Sequence, residues 1–358
     1  MSETAPAATS ASLYGRRVSA LSGRPSAATD AACPVCAARS ARPVFAVEGE
    51  SALVVRCDVC GLGRFSPMVA AERVVHFYPE EYYGEPGIKF AAPVEWVVRA
   101  VGAHHIQFLS RGLRAGARVL DVGCGRGVLL GALADHGFEV HGVEMSAEAA
   151  RGADPRARIC IAPRLAEAGY PDAHFDEVIV WHVLEHLRDP RGTLAEIHRI
   201  LRPDGRLVVA VPNFASAQAR WTGAAWFHLD LPRHLYHFPL PALRRLLESQ
   251  GFALRSEHHF SLRQNPFGWI QSLANAMPGL PRNGLYALLH QRAAAEPPPY
   301  DRRTRALLWV LFVASIPFAL AASLLETLAR SGATVHVMAT RGPRAAPGGA
   351  ARASSDPA

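Results

Sequence analysis

Apolar positions along this chain come in short runs broken by turn residues. The clearest is Arg118-Val-Leu-Asp-Val-Gly-Cys-Gly-Arg-Gly127, where Val119, Leu120 and Val122 predict a buried strand. Glycines 123, 125 and 127 predict a tight turn, and Val128–Leu133 the first turns of a helix. Further strands are expected at Phe138–Glu144, Arg158–Ala162, Phe175–Trp181, Arg206–Val211 and from Gly251-Phe252. Helices are expected at Thr193–Leu201 and Pro241–Gln250, with Arg202–Gly205 as a turn. Strands alternating with helices predict an α/β fold with a mostly parallel sheet and helices on both faces. Ala333–Ala339 reads as the last of seven strands, inserted antiparallel.

The remaining segments read differently. Residues 1–30 are rich in Ala, Ser, Thr and Pro and are expected to be disordered, as is the tail 342–358. Residues 67–115 read as a helical connector. Val94, Val97, Val98, Val101, Ile106, Leu109 and Leu113 fall at helical spacing there, and His104 and His105 read as solvated helix residues. Residues 263–332 form a hydrophobic helical insertion. Ala306–Leu325 is twenty residues without a charge, flanked by Arg302, Arg303, Arg305 and Arg330, long enough to cross a bilayer. A single crossing would put the last strand on the wrong side. The segment is therefore expected to lie in the membrane interface, to dip in and return at Pro317, or to pack as a buried helix.

Composition narrows the class. The 49% apolar content is ample for a core. All but one of the 38 basic residues are Arg, and the formal net charge is +7, yet no dense basic run with interleaved aromatics appears. Nucleic acid is therefore not an expected partner. Cys33-Pro-Val-Cys36 and Cys57-Asp-Val-Cys60 form two C-x-x-C pairs, which predict a structural zinc held by four thiolates in a small ribbon over 31–66. Such a closed site leaves no coordination position for catalysis. The N-terminus shows no apolar signal region, so the expected location is cytoplasmic, peripheral on the inner membrane face if 306–325 meets lipid.

The glycine turn decides the ligand. A dinucleotide turn reads G-x-G-x-x-G, but Val128 stands where its third glycine would fall. Asp121, two residues before the turn, would repel a pyrophosphate and suits a cation. S-adenosylmethionine (SAM) carries an ammonium, a sulfonium and no phosphate. Glu144, 21 residues after Gly123, is placed to accept hydrogen bonds from ribose hydroxyls. Ala162-Pro163-Arg164 supplies no acid or amide for adenine, which leaves backbone groups for that task.

These residues, with "FDEVIVWHVLEHLRDP" and "LRPDGRLVVAVPN", resemble the motifs of the class I SAM-dependent methyltransferases over residues 116–262 and 333–341. The resemblance implies a Rossmann-like fold and cofactor binding by Asp121, Gly123, Cys124, Gly125, Gly127, Glu144, Met145, Trp181 and His182. "CPVC…RCDVCGLGRFSP", with Tyr78, Tyr82 and Tyr83 after it, resembles the zinc-binding leader of some bacterial methyltransferases, several of which act on sugars. The expected acceptor is a small molecule, a sugar or a lipid-linked compound. His182–His186 also matches the zinc-peptidase pattern H-x-x-E-H, but it directly follows a buried strand and ends at Pro190, which argues against that chemistry. Methyl transfer to a hydroxyl or carbon needs a base. Candidates are His234 first, then His228, with His182, His186 and Tyr236; His237 ranks below, and Asn213 ends the fifth strand. A divalent cation on Glu185 and His186 is a further reading. The alternatives are an NAD-dependent oxidoreductase and a non-catalytic zinc-ribbon adaptor.

Overall fold

A computed structural model describes residues 16–21, 23–29, 31–77, 106, 108–289 and 300–343. Five strands open the chain: β1 (Val18–Ala20), β2 (Ala27–Ala28), β3 (Ser40–Val47), β4 (Leu53–Cys57) and β5 (Gly63–Ser66). They form an antiparallel sheet in which β1 and β2 both pair with β3. The disorder expected for 1–30 is thus corrected over 18–20 and 27–28. These short stretches of Val, Ser and Ala carry no periodic signal, and their strand pairing is with β3. Most of the expected connector helix, with His104, His105 and the three tyrosines, lies outside the described residues.

The main sheet contains β6 (Arg118–Val122), β7 (Glu139–Glu144), β8 (Arg158–Ile161), β9 (Phe175–Trp181), β10 (Leu201–Pro212), β12 (Phe252–His258) and β13 (Thr334–Arg341). Their spatial order is β8-β7-β6-β9-β10-β13-β12. β13 runs antiparallel between β10 and β12, as its sequence predicts. The sheet is Rossmann-like and buried on both faces. Leu120, Val178, Val180, Leu207 and Val209 face one core, and Val119, Ile179 and Val208 the other. This alternation explains why the parallel strands read as continuous apolar runs.

Helix α1 (Val128–Asp135) covers the second core through Leu130 and Leu133. Helices α2 (Pro190–Ile200) and α3 (Leu240–Ser249) cover the first through Leu194, Ile197, Leu243 and Leu246. α2 starts where Asp189 accepts a hydrogen bond from Gly192 N and Pro190 occupies the first turn. The expected turn at Arg202–Gly205 is absorbed into β10 as an irregularity, with Asp204 at φ 60°.

Among the described residues the insertion contains three helices, α4 (Asn265–Ala276), α5 (Gly284–Leu289) and α6 (Arg302–Leu328), around a separate cluster of Trp269, Ile270, Leu285, Leu308 and Ala319. The expected return at Pro317 does not occur. α6 continues through it, held on both sides by contacts with α4 and α5. Nor is α6 a buried helix: Val310, Val313, Leu324 and Leu325 are each more than half exposed. Glu326 fastens its end, accepting from Trp269 Nε1 and Ala333 N at 3.1 and 3.2 Å.

One strand joins the two sheets. β11 (Tyr236–His237) lies beyond β10 in sequence yet pairs antiparallel with β5. A side chain at Gly63 would meet His237 Cβ at 2.9 Å, so the close pairing needs glycine there. The ribbon is therefore part of the first core, with Phe45, Val54, Leu62 and Phe65 packed in the same cluster as Val178 and Val209.

Candidate active site

The carboxyl ends of β6, β7 and β9 carry the polar residues. After β6 the chain turns through Gly123, Gly125 and Gly127, all at positive φ. At Gly123 a Cβ would also strike Val183 Cγ2 at 2.7 Å, so this turn and the segment after β9 are in direct contact. Gly125 has nothing within 4 Å of its missing Cβ and leaves the backbone bare.

Glu144 closes the turn from the neighbouring strand. Its Oε2 accepts from Gly125 N at 2.9 Å, and its Oε1 from Met145 N and Ser146 N at 2.8 and 3.2 Å. Asp121 lies beneath, 5% exposed, its carboxyl pushed up to about 8 by burial and by the charge of Glu144. Two buried acids thus converge on a turn of bare backbone. Cys124 points the other way, into the gap left by Gly142, so only its backbone faces the turn.

Three apolar side chains surround this turn in the open: Val128 at the start of α1, Met145 after β7 and Ile161 at the end of β8, each more than 40% exposed. Ile161 ends β8 and Met145 follows the adjacent β7, while Val128 opens the helix after the turn. Val128 and Ile161 are missed as exposed neighbours of the turn by sequence reasoning, because each stands in an apolar run that reads as core. Trp181 turns inward from the end of β9 and its ring lies 4.5 Å from that of His336.

Beyond β9 lies a cluster of buried and half-buried histidines around Glu185. His182 sits at φ 53°, with Nδ1 3.4 Å from Glu185 Oε1 and Nε2 without a partner. Glu185 is 1% exposed, and its Oε2 has no hydrogen-bond partner. Burial pushes its carboxyl up to about 7. The loop before β11 supplies the rest. His234 Nδ1 donates to His228 O at 2.9 Å, and His186 Nδ1 to Arg233 O at 3.1 Å. The His186 and His234 rings lie 4.6 Å apart. Burial lowers all these imidazoles, His182 and His228 to about 3 and His237 to about 4, so each is neutral near pH 7.

Not every expected base belongs here. Tyr236 is turned toward the ribbon: its hydroxyl donates to Arg188 O at 3.2 Å, and burial pushes it up to about 12. It is removed from the candidate bases. Asn213 is also committed, its amide donating to Gly332 O and accepting from Ala215 N. His228 is buried against α4, where a side chain at Gly268 would meet its Nε2 at 2.6 Å.

The backbone shows what holds the loop. Leu235 N donates to Glu185 O at 2.9 Å, and Leu235 O accepts from Phe65 N at 3.3 Å. One residue thus ties the histidine cluster to the ribbon. At the ribbon's tip, Cys33 and Cys60 sulfurs lie 3.5 Å apart, as do those of Cys36 and Cys57, and all four fall within 4.8 Å of one another. Four sulfurs about 2.3 Å from one zinc would stand about 3.8 Å apart. The donor set and spacing fit that ion. The Cys33 thiol is lowered to about 5 by the Cys60 side chain, and Cys60 raised.

Residues 98–257 match the family model described as a methyltransferase domain. Among curated relatives, the ubiquinone biosynthesis O-methyltransferase of Ruegeria pomeroyi is 38% identical over 188 residues, covering 45% of this chain and 69% of the relative. That of Aromatoleum aromaticum is 32% identical, covering 45% and 74%. That of Xanthomonas oryzae is 31% identical over 133 residues, covering 35% and 56%. The chain spans about half the length of several curated relatives it matches. A solved phosphoethanolamine N-methyltransferase 2 of Haemonchus contortus, in complex with SAM, is 15% identical with a TM-score of 0.46, covering 78% of this chain and 62% of that one.

Proposed function

From the premise that this chain belongs to the class I SAM-dependent methyltransferases, we propose that it transfers the methyl group of SAM to a small-molecule acceptor. The observation that carries this reading is the pairing of Asp121 and Glu144 around the bare turn. Two buried acids suit the ammonium and sulfonium of SAM and repel a pyrophosphate. Asp121 and the 123–127 backbone hold the methionine end. Glu144, with Gly125 already bound to it, takes the ribose hydroxyls on its remaining lone pairs. Met145 and Ile161 flank the adenine, whose edge meets backbone groups.

Bound SAM supplies an activated methyl on a good leaving group. The chain's own work is alignment, exclusion of water and removal of an acceptor proton. His234 is the first choice for that proton: it is buried, neutral and held by one nitrogen to His228 O. His228, His182 and His186 stand behind it. The four cysteines hold a structural zinc, which fixes the ribbon and, through β5 and β11, the His234 loop.

The acceptor we infer is amphipathic or lipid-linked. α6 supports this reading: it presents Trp309, Val310, Val313, Leu324 and Leu325 to the outside, with Arg302, Arg303 and Arg305 at its start and Arg330 beyond its end. An apolar face with arginines at its ends suits the anionic inner leaflet, and the protein docks there from the cytoplasm. Incubation with methyl-labelled SAM and nucleotide sugars, lipid-linked glycans or membrane extract tests the whole reading. Mass spectrometry then finds one labelled lipid-linked or sugar product. Label confined to free breakdown products of SAM across all three would contradict it.

A further inference from the structure

We propose that Glu185, His186 and His234 form a second metal site, distinct from the four cysteines, that binds one divalent transition-metal ion. The argument starts from hydrogen-bond direction. A backbone carbonyl only accepts, so the contacts of His234 Nδ1 with His228 O and of His186 Nδ1 with Arg233 O place the proton on Nδ1 in both rings. In each neutral imidazole the lone pair then sits on Nε2. This second-nitrogen anchoring to a carbonyl is the arrangement that orients histidine ligands at metal sites.

Their third neighbour is also an acceptor. Glu185 is buried, and its Oε2 has no hydrogen-bond partner. The Nε2 of His234 stands 4.0 Å from Glu185 Oε1, and one ligand atom from each of the three residues falls within 4.8 Å of the others. A separation of 4.0 Å is too long for a hydrogen bond. It is within the span of two donors that each sit about 2.0–2.2 Å from one ion. The lone pair of His234 Nε2 and the Glu185 carboxylate repel unless a proton or a cation lies between them. Asp230 Oδ2, 3.6 Å from His234 Nε2, adds negative charge at the rim, while its Oδ1 is paired with Arg233.

The donor set selects the ion. Two imidazole nitrogens and one carboxylate suit Zn²⁺, Co²⁺, Mn²⁺ or Fe²⁺ better than Mg²⁺ or Ca²⁺, which prefer oxygen alone. Three protein donors leave room in the coordination shell for water or an oxygen of the acceptor. The cysteine site is closed by its four sulfurs and differs in this respect. Metal binding here follows from the three side chains alone and does not depend on the methyl-transfer reading; with Nε2 given to the ion, His234 would no longer be the base, and that role would pass to His228 or His182, whose Nε2 atoms have no hydrogen-bond partner.

Cobalt separates the two sites, because thiolate-bound Co²⁺ gives an intense sulfur-to-metal band in the near ultraviolet and a nitrogen–oxygen site only weak visible bands. The full chain is stripped with chelator and titrated with Co²⁺, with metal per chain counted by mass spectrometry. The wild type takes two equivalents, the second filling weak visible bands without further sulfur absorption. Glu185→Gln and His234→Ala each weaken the second equivalent at least about tenfold and keep the first, and both still bind SAM. A wild type that saturates at one equivalent, all of it in the sulfur band, overturns the proposal and assigns the cluster a shared proton instead. So do variants that both retain the second equivalent. The wild-type titration alone can decide, so a variant that fails to fold leaves the test intact.

Discussion

In the proposed reading, Asp121 is where a single side chain governs affinity for SAM. Its carboxyl is held up at about 8, so near neutral pH it is largely protonated before a ligand arrives. A cation prefers the ionised form, and binding expels the proton. SAM affinity therefore rises with pH by up to about tenfold per unit below 8. It turns over where the ligand's own α-amino group, at about 8, loses its charge. Asp121→Asn removes the acid limb and keeps the basic one. A titration series from pH 6 to 9 checks this, and an unchanged acid limb in the variant would refute the role given to Asp121. At this scale the sequence was informative about placement that depends on spacing, since Asp121, the three glycines and Glu144 meet at one turn. It was uninformative where a side chain's direction is set by tertiary neighbours. Tyr236 reads as a base by its position, yet β11 places it under the ribbon, bonded to Arg188.

At the scale of elements the ribbon and the loop before β11 behave as one unit. β5 pairs with β11, and Leu235 bridges Phe65 to Glu185. A zinc ribbon read alone looks like an independent leader, because no local pattern reveals that its last strand recruits a partner about 170 residues on. The two-residue β11 is too short to carry a periodic signal. The main strands were legible for the opposite reason: each is a run of apolar residues bounded by turn residues, and β13 kept that pattern despite a long insertion before it. Loss of the proposed zinc, through Cys36→Ser, should therefore loosen the His234 loop and leave the turn at 123–127 alone. In that variant the KM for the acceptor is expected to rise by about tenfold, while SAM affinity stays within about twofold, as for distant sites. Equal losses in both, measured by steady-state kinetics and calorimetry, would mean that the ribbon supports the whole domain.

Across the whole molecule, two cores on a single sheet carry the cofactor site, and a third cluster carries α6 outside them. The apolar length of 306–325 was plain in the sequence, but whether it would be buried was not, since burial depends on what α4 and α5 leave uncovered. They cover the face of Leu308 and Ala319 and leave Val313 and Leu325 in the open. Docking on lipid predicts co-sedimentation with anionic vesicles at least about tenfold stronger than with neutral ones. Val313→Glu with Leu325→Glu is expected to abolish it and keep SAM binding. Indifference to vesicle charge and to these substitutions would remove the membrane from the account.

The central claim is that paired acids beside a bare glycine turn receive a positively charged sulfur nucleoside. Calorimetric titration of the full chain with SAM and, separately, with NAD near neutral pH tests it most directly. The expected result is saturable one-to-one binding of SAM, weakened in Asp121→Asn, and no heat of binding from NAD. Binding of NAD, or of neither ligand by a folded chain, would contradict it.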